Sequence, residues 1–282
     1  MHALREIHTD EIRQLVYTLA LQACREFSPD VQAALQSAYE HELCPQSQST
    51  LALLIENQRL AAQKGLPLCQ DTGMAVLFLD IGQDVHICGE PLHEALHSAV
   101  RDAYRDGYFR PSIVSPVERM NTGDNTPAII HTQIVPGNQI HITVAPKGFG
   151  SENMSSIAML KPSQGREGIL NFIVDTVQNA GGNPCPPVIV GVGIGGDFEL
   201  CALMAKKALL RPLDAPAASI ELQAMQEELM MRINALGIGA MGLGGTITAL
   251  GVQILSMPTH IAGMPVAVNM QCHCARHAQG VL

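Results

Sequence analysis

Apolar positions in the first 65 residues recur with helical spacing. Ile12, Leu15, Val16 and Leu19 fall at i, i+3, i+4 and i+7, the stripe of an amphipathic helix. Thr9 stands where a cap would open that helix. Ser28-Pro29 marks a second start, with proline at the first helical position, and Leu51 to Lys64 continues helically to a stop at Lys64-Gly65. This stretch carries no catalytic spacing and reads as a helical packing layer.

The period then changes. Met74 to Asp80 reads as a buried strand, and residues 91–106 as an amphipathic helix opened by Pro91 and ended by Gly107. Ala128–Val135 and Gln139–Ala145 are β-rich runs on either side of Pro136-Gly-Asn138, which predicts a hairpin with a three-residue loop. From residue 165 the pattern predicts helices at 165–180, 197–210 and 216–235, with strands at 187–192, 246–256 and 264–270. No linker, low-complexity tail or clear internal repeat is legible. The fold class is α/β or α+β, with a helical layer followed by mixed strands and helices in two lobes.

Composition narrows the function. Of 282 residues only 15% are charged, below the usual quarter, and the net charge is −9. So little charge leads us to expect that the chain buries surface against another chain. No Lys/Arg run appears, which excludes nucleic acid as a partner. The N-terminus lacks a signal pattern, and apolar runs such as Pro187–Ile194 are far too short to span a membrane, so the expected location is the cytoplasm. There the eight cysteines should be reduced. No C-x-x-C pair exists, which argues against a zinc ribbon or a thioredoxin-like motif. Cys24 and Cys201 lie in apolar helical patterns and read as small buried hydrophobes. Cys44 and Cys88 have no telling context.

Three cysteine segments remain, each flanked by glycine or proline. Cys69 lies in Pro67-Leu-Cys-Gln-Asp-Thr-Gly73, immediately before a strand, where a fixed loop with a glycine allows close approach. Cys185 sits in Pro184-Cys-Pro-Pro187, stiffened by prolines on both sides. Cys272 follows a strand together with His273, Cys274, Arg276 and His277. In an extended segment residues 272 and 274 point to the same side, so either thiol could be a ligand. Three well-separated thiolates suit an iron–sulfur cluster with one iron left open, which acts as a Lewis acid on a substrate. The bland alternatives are ordinary turns with incidental thiols, or a zinc site at 272–277.

Two glycine-rich segments compete. Gly191-Val-Gly-Ile-Gly-Gly196 fits G-x-G-x-x-G and would make this a nucleotide-binding oxidoreductase. That reading needs an acid at the end of the next strand, about 20 residues on. Asp214 has the distance but lies between Pro212 and Pro216 and precedes a helix. A helix N-terminus at 196 would still suit a carboxylate. Lys147-Gly-Phe-Gly-Ser-Glu-Asn153 is a second loop of small residues and backbone donors.

These segments together resemble the class I, iron–sulfur-dependent fumarate hydratases, and specifically the α subunit of the two-chain form, related to the tartrate dehydratase α subunit. The matching stretches are Cys69–Gly73, Arg110-Pro-Ser, Asn121–Ala128, Lys147–Asn153, Asn183–Gly196 and Gln271–His277. The resemblance implies one hydro-lyase α-subunit domain over 1–282, helical to about 65, with a cluster-binding body over about 66–282. It implies a [4Fe-4S] cluster held by Cys69, Cys185 and Cys272. Gln70, Arg110, the backbone near Gly150 and His260 are implied to contact substrate, and Asp71 to take part in proton transfer. The remaining substrate-binding basic groups and a catalytic threonine are implied to lie on a β subunit, in an α2β2 hetero-oligomer. The expected reaction is the hydration of fumarate to malate in the tricarboxylic acid cycle, with tartrate dehydratase and mesaconate hydratase as alternatives. Two departures stand out: Cys274 and Phe149 replace residues commoner in the family. The Ser151-Glu-Asn153 form favours fumarate over tartrate by analogy.

Overall fold

The computed structural model describes residues 4–282. The chain folds into two compact units. One comprises residues up to Ser28, Asn57–Phe149 and Arg276–Leu282; the other comprises Pro29–Glu56 and Gly150–Ala275. The strands are β1 (Arg5–His8), β2 (Met74–Gly82), β3 (Val85–Cys88), β4 (Ile129–Val135), β5 (Ile140–Lys147), β6 (Ser156–Leu160), β7 (Val188–Gly196), β8 (Ala249–Thr259), β9 (Met264–Gln271) and β10 (Ala278–Val281). The helices are α1 (Thr9–Arg25), α2 (Pro29–His41), α3 (Pro45–Lys64), α4 (Leu92–Asp106), the single turn α5 (Phe149–Glu152), α6 (Gly165–Ala180), α7 (Phe198–Ala208) and α8 (Ile220–Asn234). The mixed α/β class read from the sequence holds. No helix among the described residues is long and apolar enough to cross a membrane.

In the first unit the sheet order is β10-β5-β2-β4, with β2 parallel to β4 and antiparallel to β5. The expected hairpin between the two β-rich runs does not form. β2 lies between β4 and β5 because its apolar residues on both faces suit a central strand better than an edge. Helix α1 presents the predicted stripe of Ile12, Val16 and Leu19, which packs with Leu77, Leu96, Val100 and Ile142 in one buried cluster. Each such side chain, fully buried, contributes about 1.5–3 kcal/mol. The cap differs from expectation. His8 takes the N-cap position with a reciprocal Glu11 contact, while the Thr9 hydroxyl accepts the Glu90 backbone N–H at 3.0 Å.

The second unit has its own core. Its sheet order is β6-β9-β7-β8, with β7 parallel to β8 and antiparallel to β9. Ile173, Val177, Leu229 and Ile233 of α6 and α8 pack with Val190, Val192, Ile254 and Val268. Cys201, Met204 and Ala205 of α7 form a separate buried cluster with Ala267. The two sheets share one wiring, although no repeat is legible in the sequence. In each, an inner strand (β2 or β7) is parallel to an edge strand (β4 or β8) and antiparallel to the other inner strand (β5 or β9), and an outer antiparallel strand (β10 or β6) completes the order. That outer strand is the last of the chain in the first unit and precedes the others in the second.

Candidate active site

The first unit gathers Cys69, Gln70, Asp71 and Arg110 around one loop. Residue 68 is pinned from both sides: Leu68 N–H donates to Cys24 O at 2.9 Å, and Leu68 O accepts Asn57 Nδ2 at 3.0 Å. Cys69 follows, half-buried, then exposed Gln70. Asp71 Oδ1 accepts Gly73 N–H at 3.0 Å, and Oδ2 accepts Phe149 N–H at 2.9 Å. The Asp71 carboxylate therefore organises its own turn, as an Asx residue does, and also ties it to the end of β5. Gly73 is required there: at φ +77°, a Cβ would sit 2.5 Å from the Lys147 carbonyl. Buried Arg276 donates from Nη2 to Asp71 O at 2.7 Å.

Thr72 brings in the cation. Its buried hydroxyl accepts Arg110 N–H at 3.0 Å and donates to Arg110 O at 3.3 Å. Arg110 thus follows the position of the Cys69 loop, while its exposed guanidinium has no hydrogen-bond or ion-pair partner among the described residues. The Tyr104 hydroxyl donates toward Thr72 O and Gly73 O, both at 3.0 Å, and burial raises its pKa well above the usual phenol value. Asn125, fully buried at φ +59°, donates to Gly73 O at 3.2 Å and accepts Ser112 N–H at 2.7 Å. Thr72, Tyr104, Asn125 and Arg276 carry no mark of this role in spacing or composition. Only the Asp124-Asn-Thr-Pro run, with its turn chemistry, could have marked a bend at Asn125.

The second unit brings Cys185 and Cys272 together at one end of its sheet. Cys185 precedes β7 and Cys272 follows β9, and those strands pair Ile189 with Gln271. Cys185 O accepts His273 N–H at 3.3 Å and the ring Nδ1 at 2.9 Å. A carbonyl only accepts, so the imidazole carries a proton at Nδ1. Cys185 itself is at φ +55°, a costly conformation for a residue with a Cβ.

Cys272 and Cys274 differ in burial. The extended conformation ends at Gln271, leaving Cys272 half-buried, with Gln271 Nε2 3.5 Å from its Sγ, and Cys274 only 3% exposed. Gly150 is exposed, where α5 crosses from one unit into the other. His260 is exposed on the β8–β9 connection, beyond Thr259, which pairs with Gly196 at the far end of β7. A nine-residue strand at about 3.3 Å per residue puts it roughly 25 Å along the sheet from the Cys185 end.

The donor chemistry fits a polynuclear iron–sulfur group. Cys69, Cys185 and Cys272, like Cys44 and Cys88, are half-buried, whereas Cys24, Cys201 and Cys274 are buried. Burial pushes the Cys24 thiol up to about 11. Among the described residues no three His, Cys, Asp or Glu side chains gather as a metal-holding group, at 272–277 or at the three thiols.

The nucleotide reading falls. Gly191–Gly196 lies inside β7 rather than in a loop after it. A Cβ at Gly191 or Gly193 would stand 2.2 Å from Ala205 O or 2.0 Å from Cys201 O, so these glycines let α7 pack directly on the strand. The N-terminus of α7 is capped by its own acid, with Asp197 Oδ1 accepting Leu200 N–H at 2.8 Å.

Comparison with known proteins places the chain in a family. The fumarate hydratase (Fumerase) family matches residues 13–281. A Methanocaldococcus jannaschii protein, provisionally named L(+)-tartrate dehydratase subunit alpha, is 42% identical over 95% of this chain and 96% of its own length. The L(+)-tartrate dehydratase subunit alpha of Escherichia coli K12 is 29% identical over 97% of this chain and 90% of its own length.

Proposed function

This chain belongs to the fumarate hydratase (Fumerase) family and is a hydro-lyase; we propose that it is the α subunit of an iron–sulfur enzyme, working with a β subunit, that adds water reversibly to fumarate to give malate. One observation carries this reading. Thr72 locks Arg110 to the loop holding Cys69, Gln70 and Asp71, so a cation, an acid–base group and a half-buried thiol share one scaffold.

Cys69, Cys185 and Cys272 would hold the [4Fe-4S] cluster, which supplies a Lewis-acidic iron for the substrate's oxygen atoms. Arg110 pairs one substrate carboxylate in the fork geometry that guanidinium favours. Gln70 and the backbone near Gly150 orient the substrate. Asp71 moves the proton at the carbon adjacent to the carboxylate, using lone pairs left over from its two backbone bonds. The case for Cys272 over Cys274 is its exposure and the Gln271 N–H near its sulfur. His260 enters as a substrate contact on the family resemblance alone. Its place at the opposite end of the sheet gives that role no support within the second unit. The partner and an α2β2 assembly follow from the same resemblance, and the relatives' naming as alpha subunits supports a β partner.

A second reading is dehydration of L(+)-tartrate. The names of the relatives at 42% and 29% identity favour it, while the Ser151-Glu-Asn153 form favours fumarate. The experiment is anaerobic reconstitution with the candidate β subunit, measuring turnover on both substrates and iron per chain. Iron with turnover on fumarate above that on tartrate supports the first reading, and the reverse order supports the second. Absence of iron in an active complex overturns the cluster.

A further inference from the structure

We infer that Glu42 and Ser47 are positioning residues for the Cys185 thiol, an inference that rests on the proposed role of Cys185 as a cluster ligand. Both lie at the α2–α3 corner of the second unit, far from Cys185 in sequence. Glu42 is 4% exposed and Ser47 fully buried. The two Glu42 oxygens accept Cys44 N–H at 2.9 Å, the Ser47 hydroxyl at 3.1 Å, Thr246 N–H at 2.9 and 3.1 Å, the Thr246 hydroxyl at 2.9 Å and Ile247 N–H at 3.0 Å. A carboxylate saturated with donors in this way fixes the 246–247 backbone to the corner.

Ser47 relays the constraint. Its oxygen accepts Ala240 N–H at 3.2 Å, and the next residue, Met241, donates its N–H to Pro186 O at 2.7 Å. Pro186 directly follows Cys185. The same glycine-rich loop touches the other side of the turn: a Cβ at Gly242 would stand 2.7 Å from Gly182 Cα, and Gly182 O accepts Cys185 N–H at 3.1 Å. Met241 and Cys185 are both non-glycine residues at positive φ, +54° and +55°. Such conformations persist only where the surroundings over-determine them. Two contacts do this for Cys185: His273 on its own carbonyl, and the Glu42–Ser47–Ala240–Met241 relay on the carbonyl that follows. A carboxylate is needed at position 42 because a glutamine accepts on one side-chain atom only and would turn its NH2 toward N–H donors.

The test uses the full chain. Ser47→Ala cuts only the relay to Ala240, and Glu42→Gln removes its anchor. In the iron-free proteins, the alkylation rate of Cys185 by iodoacetamide is followed by mass spectrometry relative to Cys69, with thermal melting as the measure of folding. After anaerobic reconstitution, iron per chain and visible absorbance are compared with wild type. A several-fold change in the Cys185 to Cys69 ratio, with less iron bound in a chain that still melts cooperatively, is the expected result. An unchanged ratio and unchanged iron in folded Ser47→Ala overturn the inference, and that variant decides if Glu42→Gln does not fold. If Cys185→Ser binds as much iron as wild type, the ligand role fails, and the alkylation ratio still decides whether Glu42 and Ser47 set the Cys185 turn.

Discussion

The Thr72 hydroxyl holds Arg110 by both its backbone N–H and its carbonyl, at 3.0 and 3.3 Å. The loop that offers the Cys69 thiol and the residue that offers a guanidinium therefore move as one piece. Thr72→Val keeps the shape and removes both bonds. Leaving these groups unpaired costs about 1–3 kcal/mol of stability. The variant should melt earlier and show a raised KM with a smaller change in kcat, and Thr72→Ser should restore both. Steady-state kinetics with a melting curve checks this.

Arg110→Ala removes a charge-assisted contact worth about 1.5–3 kcal/mol, which is roughly a ten- to hundredfold rise in KM for the dicarboxylate. Its guanidinium supports no other residue in the described chain, so iron content and melting temperature should stay at wild-type values. An unchanged KM would remove Arg110 from the substrate site.

Asp71→Asn tests the acid–base role. Loss of a positioned proton carrier lowers kcat roughly 10²–10⁴-fold. Iron per chain should be retained, because Cys69 is held through Leu68 rather than through the Asp71 carboxylate. Full turnover in Asp71→Asn would leave the residue only its turn-forming bonds to Gly73 and Phe149.

The two neighbouring cysteines separate cleanly. Cys272→Ser should lose iron and visible absorbance while melting near wild type. Cys274→Ser places a hydroxyl at a site 3% exposed and should lower the melting temperature while keeping iron. The reverse pattern would assign the ligand to Cys274.

The donors around Glu42 predict an acid dependence of stability. Burial pushes this carboxyl up, but the N–H and hydroxyl donors of Thr246, Cys44 and Ile247 outweigh burial and bring it from an ordinary 4.5 down to about 2. A lowered carboxyl stabilises the fold fully above pH 4.5, and that contribution fades as pH falls toward 2. Its size is on the order of 3 kcal/mol. Urea midpoints of wild type and Glu42→Gln should differ most near pH 7 and converge below pH 3.

The amino-acid sequence by itself marked the main helices, the inner strands and the candidate chemistry. The stripe of Ile12, Val16 and Leu19 marks α1 because a helix buries one face, and an apolar run bounded by Gly73 marks β2 because a central strand buries two. The three thiols stand out because glycine and proline stiffen the loops around them. Tertiary structure decided what these local signals cannot carry. β2 inserts between β4 and β5, so two adjacent β-rich runs do not pair, since sheet order depends on which strand can bury both faces. Gly191 and Gly193 admit a helix rather than a phosphate, because the residues they would clash with, Ala205 and Cys201, are placed by packing and not by spacing. Cys272 and Cys274 differ in burial because the chain leaves the strand at Gln271. Arg110 joins the Cys69 loop through Thr72, 38 residues away, and Glu42 reaches the loop beside Cys185 across some 200 residues. Hydrogen bonds between such distant positions follow from the fold's geometry and leave no period in the chain to read.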